Sequence, residues 1–74
     1  MKALIEYTDT FGGEANYCWV NRFDFDCDGM SNRAIIRKAK KMLGLQGVRS
    51  VRGWDNEDIA RYFKSTVLFI NFED

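Results

Sequence analysis

The chain has 74 residues, of which 46 % are hydrophobic and 15 % aromatic, a composition typical of a folded domain rather than of a disordered segment. This length predicts one compact domain, residues 1–74, with little more than one core. Eleven basic and eleven acidic residues give zero net charge, which argues against the strongly basic surface of most nucleic-acid-binding domains of this size.

The residue types also argue against several kinds of chemistry. The sequence has no histidine, and Cys18 and Cys27 lack the spacing of a zinc or redox motif. We therefore predict free thiols, no cofactor and no enzymatic activity. No apolar run approaches the roughly 20 residues of a membrane span, and none near the N-terminus is long enough for a signal peptide. We expect a cytoplasmic protein without a membrane partner.

The first two predicted elements are strands joined by a turn. Residues 2–8 alternate, with Ala3, Ile5 and Tyr7 on one face, and residues 9–13, DTFGG, favour a turn in which Asp9 bonds the local backbone. The second strand alternates most clearly. Its odd positions predict a core face, formed by Ala15, Tyr17, Trp19, Phe23 and Phe25. Its even positions predict a solvent face, formed by Asn16, Cys18, Arg22, Asp24 and Asp26.

A helix is predicted next, with clear signals at both ends. Ser31 is a suitable N-cap, and Met30 with Ile35 can form a hydrophobic staple. Gly44 favours a left-handed C-terminal turn, so the helix should end near Leu43. At about 100° per residue, one arc is apolar and packs on the core: Ile35, Ile36, Ala39, Met42 and Leu43. The opposite arc is basic: Arg33, Arg37, Lys40 and Lys41.

The last third of the chain predicts more strands. Residues 47–54 can form a third strand, and residues 65–73, STVLFINFE, have the apolar character of a strand in the middle of a sheet. Residues 55–63 fit either a short helix, with Asp55 as N-cap, or a strand, and the helix is slightly favoured. The order β-β-α-β-(α or β)-β predicts an α+β fold, a two-layer antiparallel sheet with one amphipathic helix on one face.

Residues 24–29 resemble the start of a calcium-binding loop, because Asp24, Asp26 and Asp28 precede Gly29 at the right spacing. The position that should supply a bidentate glutamate is instead Ile35, which the helix needs for its core face. We therefore predict no metal site and interpret the segment as a strand-to-helix junction. A weak, partly hydrated cation held by the three carboxylates stays open as the alternative.

Two charged surfaces are candidate binding sites. The first is acidic and consists of Asp24, Asp26 and Asp28. The second is basic and consists of Arg33, Arg37, Lys40 and Lys41, to which Arg49 and Arg52 can add if the next strand lies nearby. Trp54, beside Gly53, is the aromatic ring that we expect to be available to a partner. The acidic surface suits a protein partner, and the basic one suits either a protein or nucleic acid.

Residues 5–25, IEYTDTFGGEANYCWVNRFDF, resemble a segment of small uncharacterised proteins encoded by bacteriophages, prophages and other mobile elements. The resemblance implies a protein that acts in the cytoplasm of a bacterial host, without implying a catalytic residue. We therefore expect a non-enzymatic accessory protein, a monomer or small homo-oligomer, that binds and inhibits or redirects a host protein machine, possible targets including CRISPR and other defence systems. The alternative is a small nucleic-acid-binding accessory protein that uses the basic helix.

Overall fold

The computed structural model describes residues 1–52 and 59–74. Within them the elements are β1 (Lys2–Phe11), β2 (Glu14–Asp26), α1 (Asn32–Met42), β3 (Val51–Arg52), β4 (Ile59–Tyr62) and β5 (Thr66–Glu73). The strands form a five-stranded antiparallel sheet in the order β2-β1-β5-β4-β3. The predicted α+β fold, a sheet with one helix, is confirmed. Trp54 and the predicted helix start at Asp55 lie outside the described residues.

The core lies between α1 and one face of the sheet. Ile5 of β1 is opposite Phe23 of β2 and Ile70 of β5, so three strands contribute to one apolar row. Ile35 and Ala39 of α1 are buried against this face. The complete buried cluster is Ala3, Ile5, Phe25, Cys27, Ile35, Ala39, Leu68 and Ile70. Burial of an aliphatic side chain of this size contributes about 1.5–3 kcal/mol, so these few residues carry much of the stability.

The central position of β5 explains its sequence. It lies between β1 and β4, and it has buried residues on both faces, Leu68 and Ile70 toward the helix and Val67 away from it. The expectation of a middle strand is confirmed. Of the predicted third strand, residues 47–54, the structure describes residues 47–52, and within these only Val51 and Arg52 pair with β4.

The slight preference for a helix over residues 55–63 was wrong for residues 59–62, which form β4. Ile59 is opposite Ile70 and Arg61 is opposite Leu68, while Ala60 is buried on the other face. As a strand, residues 59–62 pair with the side of β5 that β1 leaves free, so the backbone N–H and C=O groups on both sides of β5 form hydrogen bonds. Leaving these groups unpaired in a buried strand would raise the free energy of the folded state. The alternation of Ile59, Arg61 and Phe63 was therefore the better signal.

The first hairpin contains an irregularity that the sequence did not predict. Strand β1 continues to Phe11, so the turn is only Gly12 and Gly13, both with positive φ, and residues 9–11 are not part of it. Farther along, four residues of β2, Asn16–Trp19, stand opposite Asp9 alone. The three extra residues are an odd number, so they reverse which face each side chain of β2 occupies.

This bulge changes the predicted core face of β2. Phe23 and Phe25 point toward α1 as expected, but Tyr17 and Trp19 are 50 % and 46 % exposed, so the prediction that they lie in the core was wrong. Trp19 retains one contact with that side, since its ring centroid lies 5.4 Å from that of Tyr7. Ala15 is opposite Thr10 and shares a face with it, not with Ala3, Ile5 and Tyr7.

The helix begins and ends where the sequence predicts. The Ser31 hydroxyl accepts a hydrogen bond from the Ala34 amide at 3.2 Å, and Gly44 takes a φ of 74° directly after the C-cap residue Leu43. Met42 is 54 % exposed, so its predicted place in the core was wrong. It lies on the row of Ala34, at the flank of the buried arc rather than at its centre.

Candidate functional site

The sheet has one face covered by α1 and a second face that we call the open face. No helix of the described residues packs on the open face. Because opposite residues of paired strands share a face, the register assigns its members. They are Lys2, Leu4, Glu6 and Thr8 of β1, Val20, Arg22, Asp24 and Asp26 of β2, Val51 of β3, Ala60 and Tyr62 of β4, and Val67, Phe69, Asn71 and Glu73 of β5.

The middle of the open face is apolar. Thr8, Ala60 and Val67 are buried, and half-buried side chains surround them. The half-buried ones with apolar or aromatic surface are Leu4, Tyr62 and Phe69. Val20 and Val51 extend this surface toward the two edges of the sheet and are 36 % and 63 % exposed. A contiguous apolar patch of this kind marks a contact surface more often than scattered exposed residues do.

A hydrogen-bonded group of three side chains lies beside this patch. The carboxylate of Glu6 accepts from the Tyr17 hydroxyl at Oε1, at 2.8 Å, and from the Arg22 guanidinium at Oε2, at 2.9 Å. The Tyr17 hydrogen bond, followed by that of Arg22, lowers the pKa of Glu6, and the same contact raises the pKa of Tyr17. The reversal caused by the bulge thus places Tyr17 on the open face, where Glu6 fixes its orientation.

Asp9 holds the bulge in place. Its carboxylate accepts from the side-chain amide of Asn16 and from the backbone N–H of Cys18, both at 2.9 Å. These bonds, that of Asn16 first, lower the pKa of Asp9. The Thr8 hydroxyl, which is fully buried, donates to the carbonyl of Trp19 at 2.7 Å. Asp9 therefore bonds backbone as predicted, but across the hairpin rather than within a turn.

The structure divides the three predicted acidic residues between a strand face and a turn, where the Asp28 N–H donates to the Asp26 carboxylate at 3.1 Å. Asp24 and Asp26 lie on the open face of β2, opposite Leu4 and Lys2 of β1. Asp28 lies in the turn after the strand, where its carboxylate accepts from the Met1 amine at 2.8 Å and raises the pKa of that amine. Nowhere in residues 1–52 and 59–74 do three Asp, Glu, Cys or His side chains converge as metal ligands would.

The open face is acidic on balance. Its carboxylates are Glu6, Asp24, Asp26 and Glu73, and its cations are Lys2 and Arg22. Glu6 and Arg22 neutralise each other at 2.9 Å, and Lys2 lies between Asp26 and Glu73, opposite both. Asp24 and Asp26 form the acidic rim next to Leu4. Neither forms a salt bridge with any described residue.

The predicted basic surface is divided between free and anchored cations. Arg33, Arg37 and Lys41 are exposed on the outer side of α1. Lys40 is half-buried, since its ammonium donates to the Val48 carbonyl at 2.8 Å and lies 5.9 Å from the centre of the Phe63 ring. A shallow groove of about 380 Å³ borders this side of α1, lined by Arg33, Ile36, Arg37, Lys40, Gln46 and Gly47.

Two further arginines lie on the helix side of the sheet. Arg52 of β3 is opposite Arg61 of β4, which is in turn opposite Leu68 of the core face. This register is compatible with the prediction that Arg52 adds to the basic surface of α1. Trp54, the ring proposed for partner contact, is not among the described residues. The molecule therefore presents a basic helix layer on one side and an apolar sheet face with an acidic rim on the other.

Sequence reasoning missed the apolar part of this site. The sequence of β5 did contain a usable signal, because it has apolar residues on both faces. One helix can cover Leu68 and Ile70 on one face but not also Val67 and Phe69 on the other. The exposed position of Tyr17 could not be predicted from the local sequence. Tyr17 has a φ of 55°, which is uncommon for tyrosine, and no glycine or proline in Asn16–Trp19 indicates a bulge.

Comparison with family models, with curated proteins and with solved structures found no match to the chain. Across residues 1–52 and 59–74, no helix has both the length and the apolarity needed to cross a bilayer. The assignment of a function therefore rests on the surfaces described above.

Proposed function

We propose that the protein is a non-enzymatic binding module that attaches to a host protein through its open face and inhibits or redirects it. The observation that carries this proposal is the apolar centre of that face, where Tyr62, Phe69 and Leu4 are half-exposed and Leu4 borders the acidic rim, opposite Asp24. An apolar centre with a polar rim is the usual anatomy of a protein interface.

The charges of the open face define the partner's chemistry. Asp24 and Asp26 attract a surface with lysine or arginine at its border and apolar side chains at its centre. Such a partner is found among host proteins that bind nucleic acid, because their contact surfaces are basic. The resemblance of residues 5–25 to phage-encoded proteins supports, within this proposal, an anti-defence function in the bacterial cytoplasm, such as inhibition of a CRISPR complex.

The test compares three forms of the protein as bait in nuclease-treated lysate of a bacterial host. The first is the wild type. The second is an open-face variant, Val51→Lys with Asp26→Arg, which adds positive charge at two exposed positions. The third is the matched control, Arg33→Glu with Arg37→Glu, which changes two exposed positions of α1. Quantitative mass spectrometry then measures each captured protein, after thermal unfolding has shown that all three forms are folded.

We expect one host protein to be captured by the wild type and by the α1 control but lost from the open-face variant. Its affinity should also fall as ionic strength rises, since the rim attracts it electrostatically. Equal capture by all three forms, or no specific capture by the wild type, would contradict the proposal.

A second candidate function is nucleic-acid binding through α1. The observation that favours it is the sequence of the helix, which has no acidic residue and exposes Arg33, Arg37 and Lys41 on one side. Fluorescence anisotropy with single- and double-stranded oligonucleotides tests it. If binding is steeply salt-dependent, with a slope of about 0.9 per phosphate contact, and Arg37→Glu with Lys41→Glu abolishes it, this function replaces the first.

A further inference from the structure

Among the described strands, β2 forms one edge of the sheet and has β1 as its single neighbour. Its pairing with β1 is uninterrupted from Val20 to Asp26, between the bulge of Asn16–Trp19 and the turn that contains Gly29. An edge strand of this length offers a row of backbone donors and acceptors to another strand. The regular segment, VNRFDFD, has Phe23 at its centre.

The direction of the backbone groups in this segment follows from one hydrogen bond. The amide of Cys27 donates to the carbonyl of Met1 at 3.0 Å, so Cys27 belongs to a hydrogen-bonded pair of the antiparallel ladder. Such pairs alternate with non-bonded pairs, so the odd residues of the segment direct their backbone groups to β1. The even residues direct theirs outward from the edge: Val20, Arg22, Asp24 and Asp26.

The side chains of these even residues are self-complementary. If a second β2 aligns antiparallel about Phe23, Arg22 of each copy is directly opposite Asp24 of the other, in pairs that exchange two backbone hydrogen bonds. Shifting the register by one hydrogen-bonded step toward Arg22 places Arg22 opposite Arg22, where like charges repel, and removes both Arg–Asp pairs. Shifting it toward Asp24 keeps two attractive pairs, Arg22 with Asp26, but places Asp24 opposite Asp24 between them. The alignment centred on Phe23 also uses the whole segment from Val20 to Asp26.

We infer that two copies of the protein pair through β2, antiparallel about Phe23, to form a symmetric dimer with one continuous sheet. Arg22 uses its Nε to hold Glu6 within the same chain, and its remaining guanidinium N–H groups bind Asp24 of the second copy. The two-fold axis is perpendicular to the sheet, so both helices lie on one side and both open faces on the other. Charged residues usually protect an edge strand from pairing, but here their order favours the register centred on Phe23, in which no like charges are directly opposite.

The test uses complementary charge reversals and measures mass by sedimentation velocity from about 1 μM to about 1 mM. The wild type should dimerise within this range. Arg22→Asp alone and Asp24→Arg alone each replace two attractive cross-strand pairs by two repulsive ones, which should weaken dimerisation at least about tenfold. An equimolar mixture of the two variants restores both attractive pairs and should form a heterodimer. Asp26→Arg is the matched control: it lies opposite Val20 and should leave dimerisation unchanged.

A monomeric wild type at the highest concentration, or single variants that dimerise like the wild type, would overturn the inference. So would a mixture that forms no heterodimer, or an Asp26→Arg variant as weak as Asp24→Arg, which indicates another register. Hydrogen exchange of the wild type gives an independent test if a variant fails to fold. The amides of Arg22 and Asp24 should exchange more slowly at high concentration than at low, while equal rates would contradict pairing through this edge.

Discussion

Replacing Tyr17 with phenylalanine should lower the free energy of unfolding by about 0.5–1 kcal/mol at neutral pH. The change removes the hydroxyl that donates to Glu6 at 2.8 Å and keeps the ring. A hydrogen bond to a charged group contributes about 1.5–3 kcal/mol, but Tyr17 is half exposed. Water can therefore replace part of this bond, and Arg22 continues to bond the carboxylate, so the loss should be well below the full range.

The loss should depend on pH. The Tyr17 hydroxyl, and after it Arg22, hold the pKa of Glu6 below its ordinary value. A carboxyl whose pKa is lower in the folded state stabilises the fold at pH values above its unfolded pKa, about 4.3 for glutamate. That contribution disappears as the pH falls through the lower, folded pKa. The difference between Tyr17→Phe and the wild type should therefore be full at pH 7 and small in strong acid.

Urea unfolding followed by circular dichroism at neutral and acidic pH measures both effects. Tyr62→Phe is the matched control: it removes a hydroxyl from the same face that forms no hydrogen bond with any described residue, and it should show no such pH dependence. The reasoning is refuted if Tyr17→Phe costs nothing at pH 7, or if its cost is the same in acid as at neutral pH.

Three further predictions concern the fold, and each is measured by urea unfolding. Ile70→Ala should cost about 2–5 kcal/mol, because Ile70 is fully buried in the central strand, and a cost below 1 kcal/mol would place the core elsewhere. Ser31→Ala should cost about 1 kcal/mol by removing the cap on Ala34, whereas Ser31→Asn should restore most of it. Gly44→Ala should cost about 1 kcal/mol because of its positive φ, and an unchanged or higher stability would contradict this reason.

The features that could be predicted from the sequence are those with a local physical cause. Ser31 caps the helix because a hydroxyl at that position can reach the amide of Ala34, and Gly44 ends it because glycine tolerates the left-handed conformation. The alternation of Ala3, Ile5 and Tyr7 predicted the correct face of β1, since neighbouring strand residues always point in opposite directions. Each of these signals lies within a few residues of the feature that it specifies.

The features that could not be predicted depend on distant parts of the chain. The bulge at Asn16–Trp19 is held by Asp9 from the opposite strand, so nothing in the local sequence indicates three extra residues. Residues 59–62 had both helical and alternating patterns, and pairing with β5 decided between them. The open face became recognisable as a site only when the sheet order placed Phe69 beside Glu6 and Ala60.

The two proposals, partner binding by the open face and dimerisation through β2, assign different roles to Asp24 and Asp26, so experiments can distinguish them. Asp24 and Asp26 both belong to the acidic rim of the open face, so either one should contribute to binding a basic partner. In the β2 dimer, however, Asp24 is neutralised by Arg22 of the second copy, while Asp26 lies opposite Val20 and keeps its charge. In the dimer, Asp26 rather than Asp24 would therefore attract the basic partner. The dimer would also present two Asp26 carboxylates, two apolar centres and two Tyr17 rings on one continuous face. A partner with matching two-fold symmetry would gain from both copies at once, because the second contact is intramolecular after the first has formed.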